Sequence, residues 1–137
     1  MTTQGFSHIR LTVTDYAASR SFYEDVFSWP VVLEASPDAD AATLAQLPFS
    51  GGGVLYDVGN GQMLGLRPAG SASFHEDHTG LDHLSFAVAS REDLERTAAA
   101  LDQRGVAHEP IKQAGPIWIL QFRDPDNIAL ELSAPGQ

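Results

Sequence analysis

Two histidines and one glutamate stand at positions where an internal repeat would make them a metal-ligand set. His8, in Phe6-Ser-His8-Ile-Arg-Leu-Thr-Val13, and His83, in Leu81-Asp-His83-Leu-Ser-Phe-Ala-Val88, hold the same register of one strand pattern. Period-two alternation groups Ile9, Leu11 and Val13 on one face and sets His8, Arg10 and Thr12 opposite. It likewise sets His83, Ser85 and Ala87 opposite Leu84, Phe86 and Val88. In Ile128-Ala-Leu130-Glu131-Leu132 the apolar series leaves Glu131 on the other face of the last strand. Any one of these residues alone reads as ordinary surface, and it is the recurrence that carries the metal reading. Neutral imidazole nitrogens with one carboxylate suit Fe(II), Mn(II), Ni(II), Co(II) or Zn(II), and three protein ligands leave positions for water or substrate.

The elements that position these groups repeat as well. Asp15 follows His8, and Ser90 follows His83, by the same interval, each placed as a helix N-cap. Ala18, Phe22 and Val26, with Tyr23 and Phe27 beside them, predict a helix that Pro30 stops. Leu94, Ala98 and Leu101 predict a second, with Ser90 and Asp93 as a capping-box pair and Gly105 at its C-terminal end. Strands are expected at Val31–Glu34, Gly53–Val58 and Met63–Arg67, then at Ala107–Ile111, Ile117–Phe122 and Ile128–Leu132. Turns at Gly59-Asn-Gly61 and Asp124-Pro-Asp-Asn127 join the last two strands of each set.

The chain therefore reads as one α+β domain, residues 1–137, of two tandem βαβββ units: unit one about 5–68, a linker about 69–80 and unit two about 81–134. Segment Ser36–Gly53, with its interleaved prolines and glycines around Leu44–Leu47, is expected to be loop plus one helical turn, a natural lid or substrate wall.

Composition narrows the function classes. The 137 residues suit a single core, and no apolar run approaches a membrane span. The first residues lack a secretory signal pattern, so a soluble cytoplasmic protein is expected. Without cysteine there is no disulfide, thiolate ligand or cysteine nucleophile. A formal charge of −10, from 18 acidic against 8 basic residues, disfavours nucleic acid and anionic lipid as partners. A small-molecule substrate remains.

The His8 strand followed by Asp15, the Ser21-Phe-Tyr-Glu24 segment, His83 heading the second unit and Asp124-Pro-Asp126 leading into Leu130-Glu131-Leu132 together resemble the vicinal oxygen chelate superfamily. That superfamily includes glyoxalase I, extradiol dioxygenases, methylmalonyl-CoA epimerase and the bleomycin- and fosfomycin-resistance proteins. The resemblance spans almost the whole chain and implies a glyoxalase-like cupped mixed sheet around a divalent metal held by His8, His83 and Glu131. It also implies a homodimer whose units pair within a chain or across the interface.

The glyoxalase- and epimerase-like members carry a further Glu or Gln ligand where this chain has Gly65, in Gln62-Met-Leu-Gly65-Leu66. Glycine offers neither a metal bond nor a general base, and Gln62 lies on the opposite strand parity. Two His and one Glu then resemble the ligand set of extradiol dioxygenases. Fe(II) or Mn(II) is accordingly favoured over Ni(II), Co(II) or Zn(II), and dioxygenase chemistry stands slightly ahead of lyase or isomerase chemistry. A metal-free, drug-sequestering binding protein is the competing class.

Further substrate-side candidates follow from strand parity. Arg10, the best anion-binding candidate, and Thr12 share the parity of His8. Met63 and Arg67 share that of Gly65, and Ser85 that of His83. Trp118 and Tyr56 lie in strands apolar on both faces, so each belongs either to the core or to the substrate side. His75 and His78 read as linker surface, and His108 reads as a strand-end residue whose role the pattern leaves open.

Overall fold

A computed structural model describes residues 1–47 and 51–136. The chain divides into two compact units, Met1–Glu24 with Ser28–Ala72, and Asp25–Phe27 with Ser73 onward. The boundary after Ala72 falls inside the segment 69–80. Each unit is a four-stranded mixed sheet, so the expected α+β class with tandem βαβββ units is what the structure shows.

In the first unit, β1 (His8–Thr12) leads to α1 (Tyr16–Phe27), then β2 (Val31–Ala35), α2 (Ala41–Ala45), β3 (Gly53–Gly59) and β4 (Gln62–Arg67). The sheet order is β1-β4-β3-β2, with β1 parallel to β4. A parallel pair requires a crossover element, and α1 supplies it. Asp15 Oδ1 accepts from Ala18 N at 3.0 Å and starts that helix. The expected stop at Pro30 comes earlier: Ser28, at φ 55°, takes the left-handed cap conformation and its N–H reaches Glu24 O. Pro30 only follows. Buried Phe22 and Tyr23 come from α1, and Leu11, Val54, Tyr56, Leu64 and Leu66 form the apolar side of the sheet. The β3–β4 hairpin turns at Asn60 and Gly61, both at positive φ (53° and 74°), the geometry that an Asn-Gly pair adopts at little cost. Within Ser36–Gly53 the helical turn is α2; residues 48–50 lie outside the described residues.

The second unit repeats the plan: β5 (Leu84–Ala87), α3 (Arg91–Gln103), β6 (Lys112–Ala114), β7 (Ile117–Arg123) and β8 (Ala129–Pro135), in the order β5-β8-β7-β6. The capping box is present, with Ser90 Oγ accepting from Asp93 N and Asp93 Oδ2 accepting from Ser90 N. Leu94 and Leu101 bury the apolar stripe of α3 in the unit that holds buried Leu84, Leu120, Leu130 and Leu132. Equivalent hydrogen bonds close both parallel pairs, Val13 N to Arg67 O and Val88 N to Ser133 O, each 2.9 Å.

One strand assignment changes. Ala107–Ile111 is not a strand; only His108 bridges Phe122, and the edge strand is β6, Lys112–Ala114. Pro110 has no N–H for a ladder, so regular pairing begins only beyond it. Among the described residues no helix is long and apolar enough to cross a membrane.

Asp124 is the polar hinge of the β7–β8 turn: 6% exposed, its Oδ1 accepts from Asp126 N and Ile128 N, both at 2.8 Å. Replacing Asp124 by Ala strands two buried donors, and urea unfolding should show a loss of about 2–3 kcal/mol. A midpoint equal to that of the native chain would remove this structural role.

Candidate functional site

In the second unit, register sets a polar row across three strands. Ser85 pairs with Glu131 on the parallel side, and Gln121 pairs with Glu131 on the antiparallel side. All three project from the face opposite Leu120, Leu130 and Leu132. Glu131 is only 9% exposed. Its Oε1 accepts from Ser85 Oγ at 2.8 Å, and its Oε2 accepts from Gln121 Nε2 at 3.1 Å. Both donors are neutral, and among the described residues no Lys or Arg pairs with this carboxylate. A carboxylate so buried, without a cation, is in an electrostatically incomplete setting.

His83 precedes β5 by one residue, on the face of Ser85, and lines with Glu131 and Gln121 a cavity of about 410 Å³. Asp82 Oδ1 lies 2.5 Å from His83 Nδ1. A carboxylate at one ring nitrogen orients imidazole and leaves Nε2 for a ligand bond, the usual arrangement around a metal-bound histidine. Imidazole and carboxylate are both donor types that a divalent ion accepts, and His83 and Glu131 bring one of each to this cavity. Among the described residues, no three His, Cys, Asp or Glu side chains are gathered to hold one.

The same cavity is lined by Glu76, Arg123 and His108. Arg123 holds Glu76 through two bonds, of 2.9 and 2.7 Å, and this guanidinium pulls the Glu76 carboxyl pKa down to about 2. His108, whose role the sequence leaves open, has both ring nitrogens engaged: Nδ1 is 2.9 Å from Glu109 O, and Nε2 is 3.0 Å from Asp102 Oδ1. The Glu109 carbonyl and then Asp102 favour the protonated ring, so its pKa is raised despite opposing desolvation.

In the first unit, His8 pairs in register with Met63, Arg10 with Gly65 and Thr12 with Arg67, so all six occupy one face. Ser7 Oγ lies 3.2 Å from His8 Nδ1. Arg10 Nη2 donates to Gly52 O at 2.5 Å. Desolvation, then the charge of Arg67, lowers the Arg10 pKa. A Cβ on Gly65 would meet Arg10 Cγ and Leu55 Cδ1 at 3.2 Å, so the stem of Arg10 occupies the space a side chain there would need.

Two further candidates, Tyr56 and Trp118, lie on the helix-bearing faces of their sheets. Tyr56 is fully buried with α1, its hydroxyl donating to Glu24 Oε1 at 2.9 Å. Burial, then Glu24, raises its pKa. Trp118 shares the face of Leu120 and Phe122, away from Gln121 and Glu131, with the Arg91 guanidinium 4.3 Å from its ring centroid. Both therefore lie on the face opposite the Ser85–Gln121–Glu131 row or its first-unit counterpart, Tyr56 buried and Trp118 half-buried. The ring centroids of His75 and His78 lie 5.5 Å apart, the rings tilted by 33°, and among the described residues they belong to no cluster of three metal-ligating side chains. Gln121 is the residue that sequence reasoning missed; counting outward from the Asp124–Asn127 turn would have paired it with Glu131.

The profile of the Glyoxalase/Bleomycin resistance protein/Dioxygenase superfamily matches residues 5–132. The chain belongs to this superfamily. The superfamily resemblance read from His8, His83 and the Asp124–Leu132 segment is thereby established. A glyoxalase/bleomycin resistance protein/dioxygenase domain from Frankia sp. EAN1pec is 32% identical, covering 99% of this chain and 95% of that one, with a TM-score of 0.82. The Escherichia coli protein YaeR is 29% identical over 128 residues, 91% of this chain and 92% of its own. The superfamily fold also appears in the fosfomycin resistance protein FosX of Listeria monocytogenes, a point mutant of which was crystallised with Mn(II) and 1S,2S-dihydroxypropylphosphonic acid. That chain is 19% identical, with coverage of 99% and 93% and a TM-score of 0.71. At that identity it speaks for the fold alone.

The cavity's ionic contacts give this superfamily member a two-sided pH response. The raised His108 pKa contributes stability below the ordinary imidazole range, lost as pH rises through the folded value above it. The lowered Glu76 pKa contributes stability above the ordinary carboxylate range, lost as pH falls toward about 2. Thermal melts from pH 5 to 9 should therefore show His108→Asn losing most against the native chain at the acid end and converging with it at the alkaline end. A constant difference across that range would remove the proton-linked role.

Proposed function

We propose that this chain is a metal-dependent small-molecule enzyme of the vicinal oxygen chelate type, working as a cytoplasmic homodimer. In this reading His8, His83 and Glu131 hold a divalent ion, His8 coming from the same chain or from a second copy. The observation that carries it is Glu131: a carboxylate nine-tenths buried, held by the neutral donors Ser85 and Gln121, beside a histidine that Asp82 orients.

When bound, the ion would supply Lewis-acid polarisation of substrate oxygens or, as iron or manganese, activation of dioxygen. The chain's own residues do the positioning. Ser85 and Gln121 constrain the Glu131 carboxylate before any ion arrives, which lowers the ordering cost of coordination. Asp82 fixes the His83 ring. Gly65 contributes no fourth ligand, so more positions stay open for exogenous oxygens, and this supports oxygenation ahead of lyase or isomerase chemistry. The Mn(II) and the vicinal diol in the FosX crystal are in keeping with chelation by neighbouring oxygens. Met63 and Ser85 complete the substrate side of this reading, with iron or manganese ahead of nickel, cobalt or zinc.

Elemental analysis of untagged protein tests this directly. The native chain should carry near-stoichiometric metal, and His83→Ala and Glu131→Ala should lose it. Gln121→Leu should weaken Mn(II) binding by calorimetry roughly 10- to 100-fold while the fold is retained. Iron or manganese in the native chain leads to oxygen-uptake assays with catechol-like substrates. A native protein that neither carries nor takes up any of the five metals overturns the enzyme reading.

A further inference from the structure

The two units carry opposite chemistry at one equivalent row. In the second unit the row is Ser85 beside Glu131; in the first it is Arg10 beside Gly65. A hydroxyl and a carboxylate in one unit correspond to a guanidinium and no side chain in the other. The absence at Gly65 has a structural use, since the stem of Arg10 lies where a Cβ would already be at 3.2 Å. Its Nη2 is anchored on Gly52 O, which sets the orientation of the guanidinium plane.

Arg67 stands on the same face, opposite Thr12, near enough for its charge to act on Arg10. It is exposed, and among the described residues it makes no ion pair. Arg20, Arg91, Arg96, Arg104 and Arg123 each sit against a carboxylate. In a chain with 18 acidic and 8 basic residues, two neighbouring guanidiniums on one face run against the overall charge. Like charges so placed repel, and an anion between them turns the repulsion into charge-assisted hydrogen bonds.

We propose that Arg10 and Arg67, with the Thr12 hydroxyl, form an oxyanion-recognition site, so that the substrate carries a carboxylate or phosphate group besides its chelating oxygens. The substrate assignment rests on the enzyme reading above; the anion site lies wholly in the first unit and requires no metal.

The test uses chelator-treated full-length protein with inorganic phosphate and acetate as separate probes, followed by calorimetry and by phosphorus line width. At least one probe should bind saturably at millimolar concentration, and Arg67→Met and Arg10→Met should weaken it about tenfold or more. Arg67→Lys should recover part of the loss, and circular dichroism should show each variant folded. Preference for phosphate or for acetate identifies the anion class. If neither probe binds the native chain, or if binding is indifferent to Arg67→Met in folded protein, the proposal is overturned. His83→Ala separates the two readings: it should abolish metal uptake and leave phosphate or acetate binding unchanged. Anion binding in a chain that takes up no metal would sink the enzyme reading alone.

Discussion

The parallel pairing of the first and last strand in each unit is the constraint from which the rest follows. A parallel pair cannot be closed by a tight turn, so each unit needs a helix to cross over, and α1 and α3 meet that need. Each helix in turn needs an apolar sheet face to cover, which assigns Leu11, Leu64 and Leu66 in one unit and Leu84, Leu130 and Leu132 in the other. The remaining face of each sheet then receives every polar side chain of opposite parity. Because strand period is two, a slip of one residue would exchange the two faces, so the core and the candidate site stand or fall together.

Placing the fourth strand centrally has an electrostatic consequence. β8 lies between β5 and β7, so a side chain on it has neighbours on both sides and little access to water. Glu131 occupies that position and is held by Ser85 and Gln121. Neutral donors orient this buried carboxylate without an ion pair, and it shares a cavity with His83, which Asp82 orients. In the first unit the equivalent strand carries Gly65, and the neighbouring strand supplies a long cation in place of a short hydroxyl. The two units share equivalent backbone hydrogen bonds, Val13 N to Arg67 O and Val88 N to Ser133 O, while the side chains on one row differ in size and charge.

The hairpin turns transmit register to that row. Asn60-Gly61 closes β3 on β4 with two positive-φ residues, and Asp124 closes β7 on β8 by binding two backbone donors with one carboxylate oxygen. Through the second turn Gln121 arrives opposite Glu131. A side chain distant in any motif search thereby touches the candidate ligand.

Much of this was determined by the sequence alone. The repeated His8 and His83 strands, the Asp15 and Ser90 caps and the turn residues specified two βαβββ units and the faces of their histidines, since period and capping are local properties of the chain. Local rules also erred locally: Ser28 ended α1 before Pro30, and Pro110 displaced the expected strand to Lys112–Ala114. Tertiary structure alone decided the sides of Tyr56 and Trp118, because their strands are apolar on both faces and only the packed helix distinguishes one from the other. It alone also decided the partners of Glu131 and the filling of the Gly65 space by Arg10. Those depend on which strands become neighbours and in what register, and hydrogen bonding between distant segments settles that rather than any spacing within one.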